Sequence, residues 1–222
     1  VSMEAKYKHI TVENLTPRLA GEVSGVDLGN LNKETMDEIK SAFLDRQVLI
    51  FSDQQLTREQ HKEFGLQFGT LQTHPAKTNL GVPGDPEIFD INVTAKTKVA
   101  NGEAWHTDLS CEPIPPMASA LYIKEVPASG GGDTLFASMY EAYSTLSEPI
   151  KVLLQGLTAF HNGFKDLRAY GYTPKPGDLY PTANHPVVIA HPDTGRPVLY
   201  VNEPFTERIN ELSQRESDAL LD

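Results

Sequence analysis

Apolar positions along this chain change their period several times, and each change predicts an element. Within residues 10–28, Val12, Leu15, Leu19, Val23 and Val26 alternate loosely with polar residues, which predicts short strands. Across residues 32–46, Met36, Ile39, Phe43 and Leu44 fall on one helical face. Val48-Leu49-Ile50-Phe51 predicts a short buried strand, stopped by Ser52-Asp53. Thr57 and Gln60 stand at capping-box spacing and open a second helix through Phe68, ending near Gly69. Further on, residues 87–93 and 117–123 read as strands, separated by a polar, glycine-bearing stretch. Gly130-Gly131-Gly132 punctuates the chain before a strand at 133–137, and Ser138 with Glu141 forms a second capping-box pattern. Residues 149–157 are helical in pattern, and 165–183, with three prolines and three tyrosines, read as a long surface loop or lid. Strands at 185–190 and 198–202 flank the turn Asp193-Thr194-Gly195, and Ser213 with Glu216 caps a final helix.

Composition narrows the function classes. The 222 residues suffice for one sizeable domain, and a chain of this length can bury about 70% of its extended surface. Thirty acidic residues against nineteen basic ones give a net charge of −11, which argues against electrostatic binding to nucleic acid or an anionic membrane. No apolar run is long enough to suggest a membrane span, and the first ten residues are polar and charged. A single cysteine, Cys111, excludes an internal disulfide framework and a cysteine-cluster metal site. A cytoplasmic enzyme fits this balance. Sixteen glycines and sixteen prolines imply many turns, and so a strand-rich architecture.

The sharpest chemical signal is His106-x-Asp108. Side chains two apart on an extended chain share a face, so an imidazole nitrogen and a carboxylate oxygen can meet at one point. One nitrogen and one hard oxygen donor, with positions left open, suit non-heme iron(II). The triplet alone is weak evidence, since a surface histidine bonded to its neighbour has the same spacing. A second copy, His191-Pro192-Asp193, occurs where aspartate is expected for turn geometry. His161, His185 and His191 are therefore read as structural.

Trp105-His106-Thr107-Asp108, then the proline-rich segment 113–116, then Gly131-Gly132-Asp133-Thr134 resembles the iron(II)- and 2-oxoglutarate-dependent taurine dioxygenase family, with its alkylsulfatase and phenoxyalkanoate-degrading members. Val48 to Phe51 with Gln60-His61, and later His185-Pro186-Val187-Val188, His191-Pro192, Gly195-Arg196 and Leu199-Tyr200-Val201-Asn202, extend the resemblance over residues 16–222. It implies a double-stranded β-helix, or jelly roll, mainly β with flanking helices and formed by residues 1–222 as a single domain. It implies that His106 and Asp108 are two of three iron ligands and that Thr134 bonds a carboxylate of 2-oxoglutarate. His74 would contact the anionic head of the substrate, and Phe205 would wall its pocket. The implied reaction hydroxylates a small anionic organic substrate, of alkyl sulfonate, alkyl sulfate or carboxylate type, at a carbon next to a heteroatom. Succinate and carbon dioxide are released. Iron(II), 2-oxoglutarate and dioxygen are thus the expected cofactor and co-substrates, and self-association into a homo-oligomer is compatible with this reading. An acid at Asp108 also favours hydroxylation over halogenation, since halogenating relatives carry a small residue there.

Two departures qualify the resemblance. The family's second iron-binding histidine and its 2-oxoglutarate arginine follow the last helix, whereas no histidine occurs here after His191. The jelly roll is accordingly expected to lack its C-terminal strands, with truncation or, as the favoured expectation, a disordered C-terminus beyond Asp222 accounting for them. Lys77 also stands where taurine-specific members carry tyrosine, which turns the expectation away from taurine while leaving a point charge for another anion. Two rivals compete. A non-catalytic jelly-roll binding protein is favoured by the missing third ligand, and a zinc hydrolase could use His106 and Asp108 but assigns no role to Gly-Gly-Asp-Thr.

Overall fold

A computed structural model of the chain describes residues 6–73, 81–82, 84–94, 97, 102–169, 171, 173–175 and 177–222. The chain divides into two compact units, one of Val1–Leu71 with Ala120–Ser138 and one of Gln72–Ser119 with Met139–Asp222. Among the described residues, strands gather into four small sheets with helices beside them.

In the first unit, helix α1 (Lys33–Arg46) begins because Asn32 accepts the Thr35 N–H at 2.8 Å. It buries Met36, Ile39 and Ala42 and stops at Gln47, which turns left-handed at φ 65°. Helix α2 (Arg58–Leu66) carries the expected reciprocal cap, with Gln60 N–H donating to Thr57 Oγ1 at 3.2 Å and Thr57 N–H to Gln60 Oε1 at 2.9 Å. Strands β1 (Thr11–Asn14) and β2 (Gly21–Ser24) pair antiparallel, and β2 pairs parallel with β3 (Leu49–Ile50). Ile10, Val23, Leu28, Met36, Ile39, Ala42 and Phe64 form the core. Arg46 is buried beside it, and its guanidinium donates to the carbonyls of Thr16 (2.6 Å) and Ala20 (3.0 Å).

The second unit contains the hairpin β4 (Gly81–Val82) and β5 (Asp85–Phe89), and helices α3 (Met139–Ser144) and α4 (Glu148–Leu154). Strand β6 (Thr158–Asn162) leads directly into helix α5 (Gly163–Ala169). Strands β7 (Thr182–Pro186) and β10 (Thr206–Ile209) flank β6, both antiparallel to it. A second hairpin pairs β8 (Val188–Ala190) with β9 (Pro197–Leu199), and helix α6 (Gln214–Leu221) follows the Ser213–Glu216 cap. Leu154, Ala159, Val187 and Ile209 are the buried centre.

The structure departs from the sequence pattern in three places. Residues 117–123 and 133–137 form no strand. Their apolar side chains are exposed, Leu121, Ile123, Leu135 and Phe136 among them. Alternation prepares a strand, but a strand exists only where a ladder pairs it, and no described segment pairs with these. The Ser138 hydroxyl donates to Gln47 Oε1 at 2.7 Å. The expected loop at 165–183 is helical at its start, because α5 reaches Ala169. The expected strand at 185–190 is split, since Val187 turns its N–H to the Leu157 carbonyl between β7 and β8.

The start of α5 is tightly packed. Gly163 donates its N–H to Pro181 O at 3.0 Å, and a Cβ there would stand 2.1 Å from the Tyr180 ring and 3.1 Å from Cys111 Sγ. Gly163→Ala is expected to destabilise the protein by about 1–3 kcal/mol, the usual cost of overpacking. A urea midpoint equal to that of the unchanged protein would show that Tyr180 simply swings aside.

Candidate metal centre

His106 and Asp108 lie in the second unit on an irregular stretch that ends in a tight turn. In the turn, Ser110 N–H donates to Thr107 O at 3.4 Å and Glu112 N–H to Leu109 O at 2.9 Å. Leu109 takes φ 47°, left-handed for a branched, buried residue, which costs about 1–2 kcal/mol. Strain of this kind persists only where the surroundings enforce it. Here Leu109, Cys111 and Phe205 pack into one buried cluster, and Ser110 is fully buried between them in sequence.

The turn brings the two candidate donors together. His106 Nε2 is 3.1 Å from Asp108 Oδ1, and His106 Nδ1 is 2.8 Å from the Ala104 carbonyl. A carbonyl can only accept, so Nδ1 carries the hydrogen and Nε2 is the atom presented to the carboxylate. Asp108 Oδ2 accepts from the Ser119 hydroxyl, so both carboxylate oxygens are fixed. The hydrogen bond to Asp108 lifts the His106 imidazole to about 9 against the opposing effect of burial, with help from Ala104. A proton therefore sits between the two groups at neutral pH, where a divalent cation could replace it. Two donors each about 2.1 Å from one ion at a right angle stand about 3 Å apart, which is close to the observed separation. With Nδ1 held by a carbonyl and the carboxylate by a hydroxyl, the pair has the outer-shell support that metal ligands require. The donor pair thus fits a divalent metal. Among the described residues no group of three histidine, cysteine or acidic side chains converges to hold one.

Phe205 is 5% exposed and packs on Leu109 and Cys111 of the tight turn. Cys111 is a buried thiol pushed up to about 12 by burial, as a structural cysteine should be. Thr134 belongs to the first unit and is exposed, after three glycines with φ of 80°, 95° and 77°. His74 and Lys77 lie outside the described residues. His161 and His185 are held within the second unit, where Ser110 Oγ meets His161 Nδ1 at 3.0 Å and His185 Nε2 donates to Glu112 O at 3.0 Å. His191 Nδ1 accepts the Asp193 N–H of its turn at 3.2 Å.

Sequence reasoning missed four residues near the pair. Ser119 holds Asp108, and Ser110 and Asn202 brace the turn from inside. Asp166 on α5 is half-buried, and burial pushes its carboxyl up while the charges of His106 and Asp108 act on it in opposite senses. Ser110 was the most findable, since it continues the two-residue spacing of His106 and Asp108.

A paired imidazole and carboxylate on a sheet-bearing scaffold define a candidate mononuclear metal protein. The chain belongs to the taurine catabolism dioxygenase TauD, TfdA family, whose model matches residues 11–222. It is 32% identical over 222 residues to the alpha-ketoglutarate-dependent dioxygenase cnsP of Penicillium expansum, covering 95% of this chain and 60% of that protein. With the alkylsulfatase of Acinetobacter baylyi it shares 31% identity, covering 96% of this chain and 69% of the relative. A crystal structure of a taurine dioxygenase from Burkholderia xenovorans superposes with a TM-score of 0.79 at 34% identity, covering 96% of this chain and 70% of that one. The chain therefore spans about three-fifths of the length of the fungal relative.

Proposed function

We propose that the protein is an iron(II)- and 2-oxoglutarate-dependent dioxygenase acting on a small anionic organic molecule, an alkyl sulfonate, alkyl sulfate or carboxylate, at a carbon next to a heteroatom. The observation that carries this reading is the 3.1 Å approach of His106 Nε2 to Asp108 Oδ1 with each group held from behind. Family membership and the names of the relatives, an alpha-ketoglutarate-dependent dioxygenase and an alkylsulfatase among them, support it. The reading takes residues 1–222 as a single jelly-roll domain working in the cytoplasm. No helix among the described residues is long and apolar enough to cross a membrane.

In this mechanism His106 and Asp108 would hold the iron. Iron(II) bound there would supply the oxygen chemistry by which 2-oxoglutarate and dioxygen give succinate and carbon dioxide, one oxygen atom passing to succinate and the other to the substrate. Ala104 keeps the imidazole in the tautomer that presents Nε2. Ser119 fixes the Asp108 carboxylate through Oδ2 and leaves Oδ1 facing His106 Nε2, where a metal would be held. Thr134 donates its hydroxyl to a 2-oxoglutarate carboxylate, His74 pairs with the substrate's anionic head, and Phe205 forms an apolar wall beside the metal turn.

Anaerobic addition of iron(II) and 2-oxoglutarate to the full-length protein should produce a visible charge-transfer band. Under air, succinate should form faster when an alkyl sulfonate, alkyl sulfate or phenoxyalkanoate is supplied. Neither band nor succinate would leave the non-catalytic binding protein as the better reading.

A further inference from the structure

We propose that a buried hydrogen-bonded chain, Asn202 to Ser110 to His161, is a positioning device that sets Asp108 toward the metal and ties it to Phe205. The inference rests on the metal-binding reading of His106 and Asp108.

Ser110 lies two residues after Asp108 and is fully buried. The Asn202 amide nitrogen can only donate, and it reaches Ser110 Oγ at 2.8 Å. Ser110 therefore spends one acceptor site on Asn202 and keeps its hydrogen and a second acceptor site, one of which meets His161 Nδ1 3.0 Å away. His161 is fully buried on β6, the central strand of its sheet, so the chain ends on a rigid element. Asn202 is anchored at its other atoms too. Its Oδ1 accepts the Phe205 N–H at 3.1 Å, its N–H donates to Thr206 Oγ1 at 2.9 Å, and its carbonyl accepts the Thr206 N–H at 3.0 Å. One side chain thus binds the metal turn and the Phe205 turn at once.

The left-handed Leu109 explains why such bracing is needed. The backbone between Asp108 and Ser110 would relax if Ser110 were released, and the carboxylate would rotate with it. Packing of Leu109 and Cys111 on Phe205 restrains the turn without directing it, because apolar contact carries little angular preference. The hydrogen-bonded chain supplies direction. A shift of Phe205 would then be felt at Asp108 through Asn202, linking an aromatic wall to the metal.

Manganese(II) affinity of the full-length protein, followed by loss of the free-ion resonance signal, tests this independently of turnover. Ser110→Ala is expected to weaken Mn(II) binding about tenfold, the usual effect of losing an outer-shell partner. Ser110→Thr, which keeps the hydroxyl, should stay within about twofold of the unchanged protein whatever its melting temperature. Asn202→Ala should match Ser110→Ala and decides the matter if that variant does not fold. Unmoved affinity in the alanine variants, equal weakening in Ala and Thr, or no Mn(II) binding by the unchanged protein would each overturn the inference. A protein that binds Mn(II) in this graded way but yields no succinate would instead refute the dioxygenase reading alone.

Discussion

Asp108→Asn in the full-length protein is expected to leave the fold in place and reduce 2-oxoglutarate-dependent succinate formation to the level seen without added iron. The substitution is nearly isosteric. An asparagine carbonyl can still accept from Ser119, so the turn keeps its outer contact. What disappears is the negative charge that a divalent cation needs beside the imidazole. The hydrogen bond to the same carboxylate, with its charge adding to it, holds the His106 imidazole up at about 9, so a second readout follows. A raised histidine contributes stability that is complete below its ordinary value near 6.5 and fades as pH rises through about 9. Removing its partner should therefore cost stability at neutral pH and almost nothing above pH 10. The cost is small, about 1 kcal/mol or less, because the pair is partly exposed. Proton resonance titration of His106 should show its midpoint fall toward the ordinary value in Asp108→Asn. An unchanged midpoint together with retained turnover would remove Asp108 from the site.

The sequence revealed the elements whose signal is local and obscured those whose signal is not. Helix α1 was legible because Met36, Ile39, Phe43 and Leu44 repeat on one face, and α2 because the Thr57–Gln60 box is read from neighbours a turn away. Strand β6 was not legible, although it is central to its sheet. Its inward positions are Ala159 and His161, one small and one polar, so no apolar alternation marks it. The reverse happened at 117–123 and 133–137, where apolar patterns exist without a paired strand. The His106-x-Asp108 pair was legible because two residues on extended backbone share a face whatever the fold. Its support was not legible. Asn202 stands 92 residues from Ser110, and His161 stands 51 away, so only the folded chain shows that they meet. The fully buried His161 was expected to be structural, and nothing in its neighbours announces a hydrogen-bonding task.

That burial gives the second large effect, a loss of stability in mild acid. Burial drives the His161 imidazole down to about 4, and charge on His185 and Lys165 acts in the same direction, opposed by the Tyr200 backbone. The folded ring is therefore neutral where the unfolded one, near 6.5, takes up a proton. Stability from this residue is complete above about pH 6.5, falls as pH drops toward 4, and changes no further below that. Across the window the loss amounts to about 3 kcal/mol, a large share of a typical domain's net stability. Carboxylates held down by hydrogen bonds act lower on the scale. Glu211, which accepts from the Thr158 N–H at 2.8 Å and its hydroxyl at 2.7 Å, is lowered below the ordinary range and loses its contribution only beneath it. Urea unfolding at half-unit steps from pH 7 to 4, compared with His161→Gln, separates the two. The glutamine variant does not titrate, so the difference between the curves should shrink steadily through the window, and a constant difference would mean that His161 takes up its proton without unfolding the sheet around it.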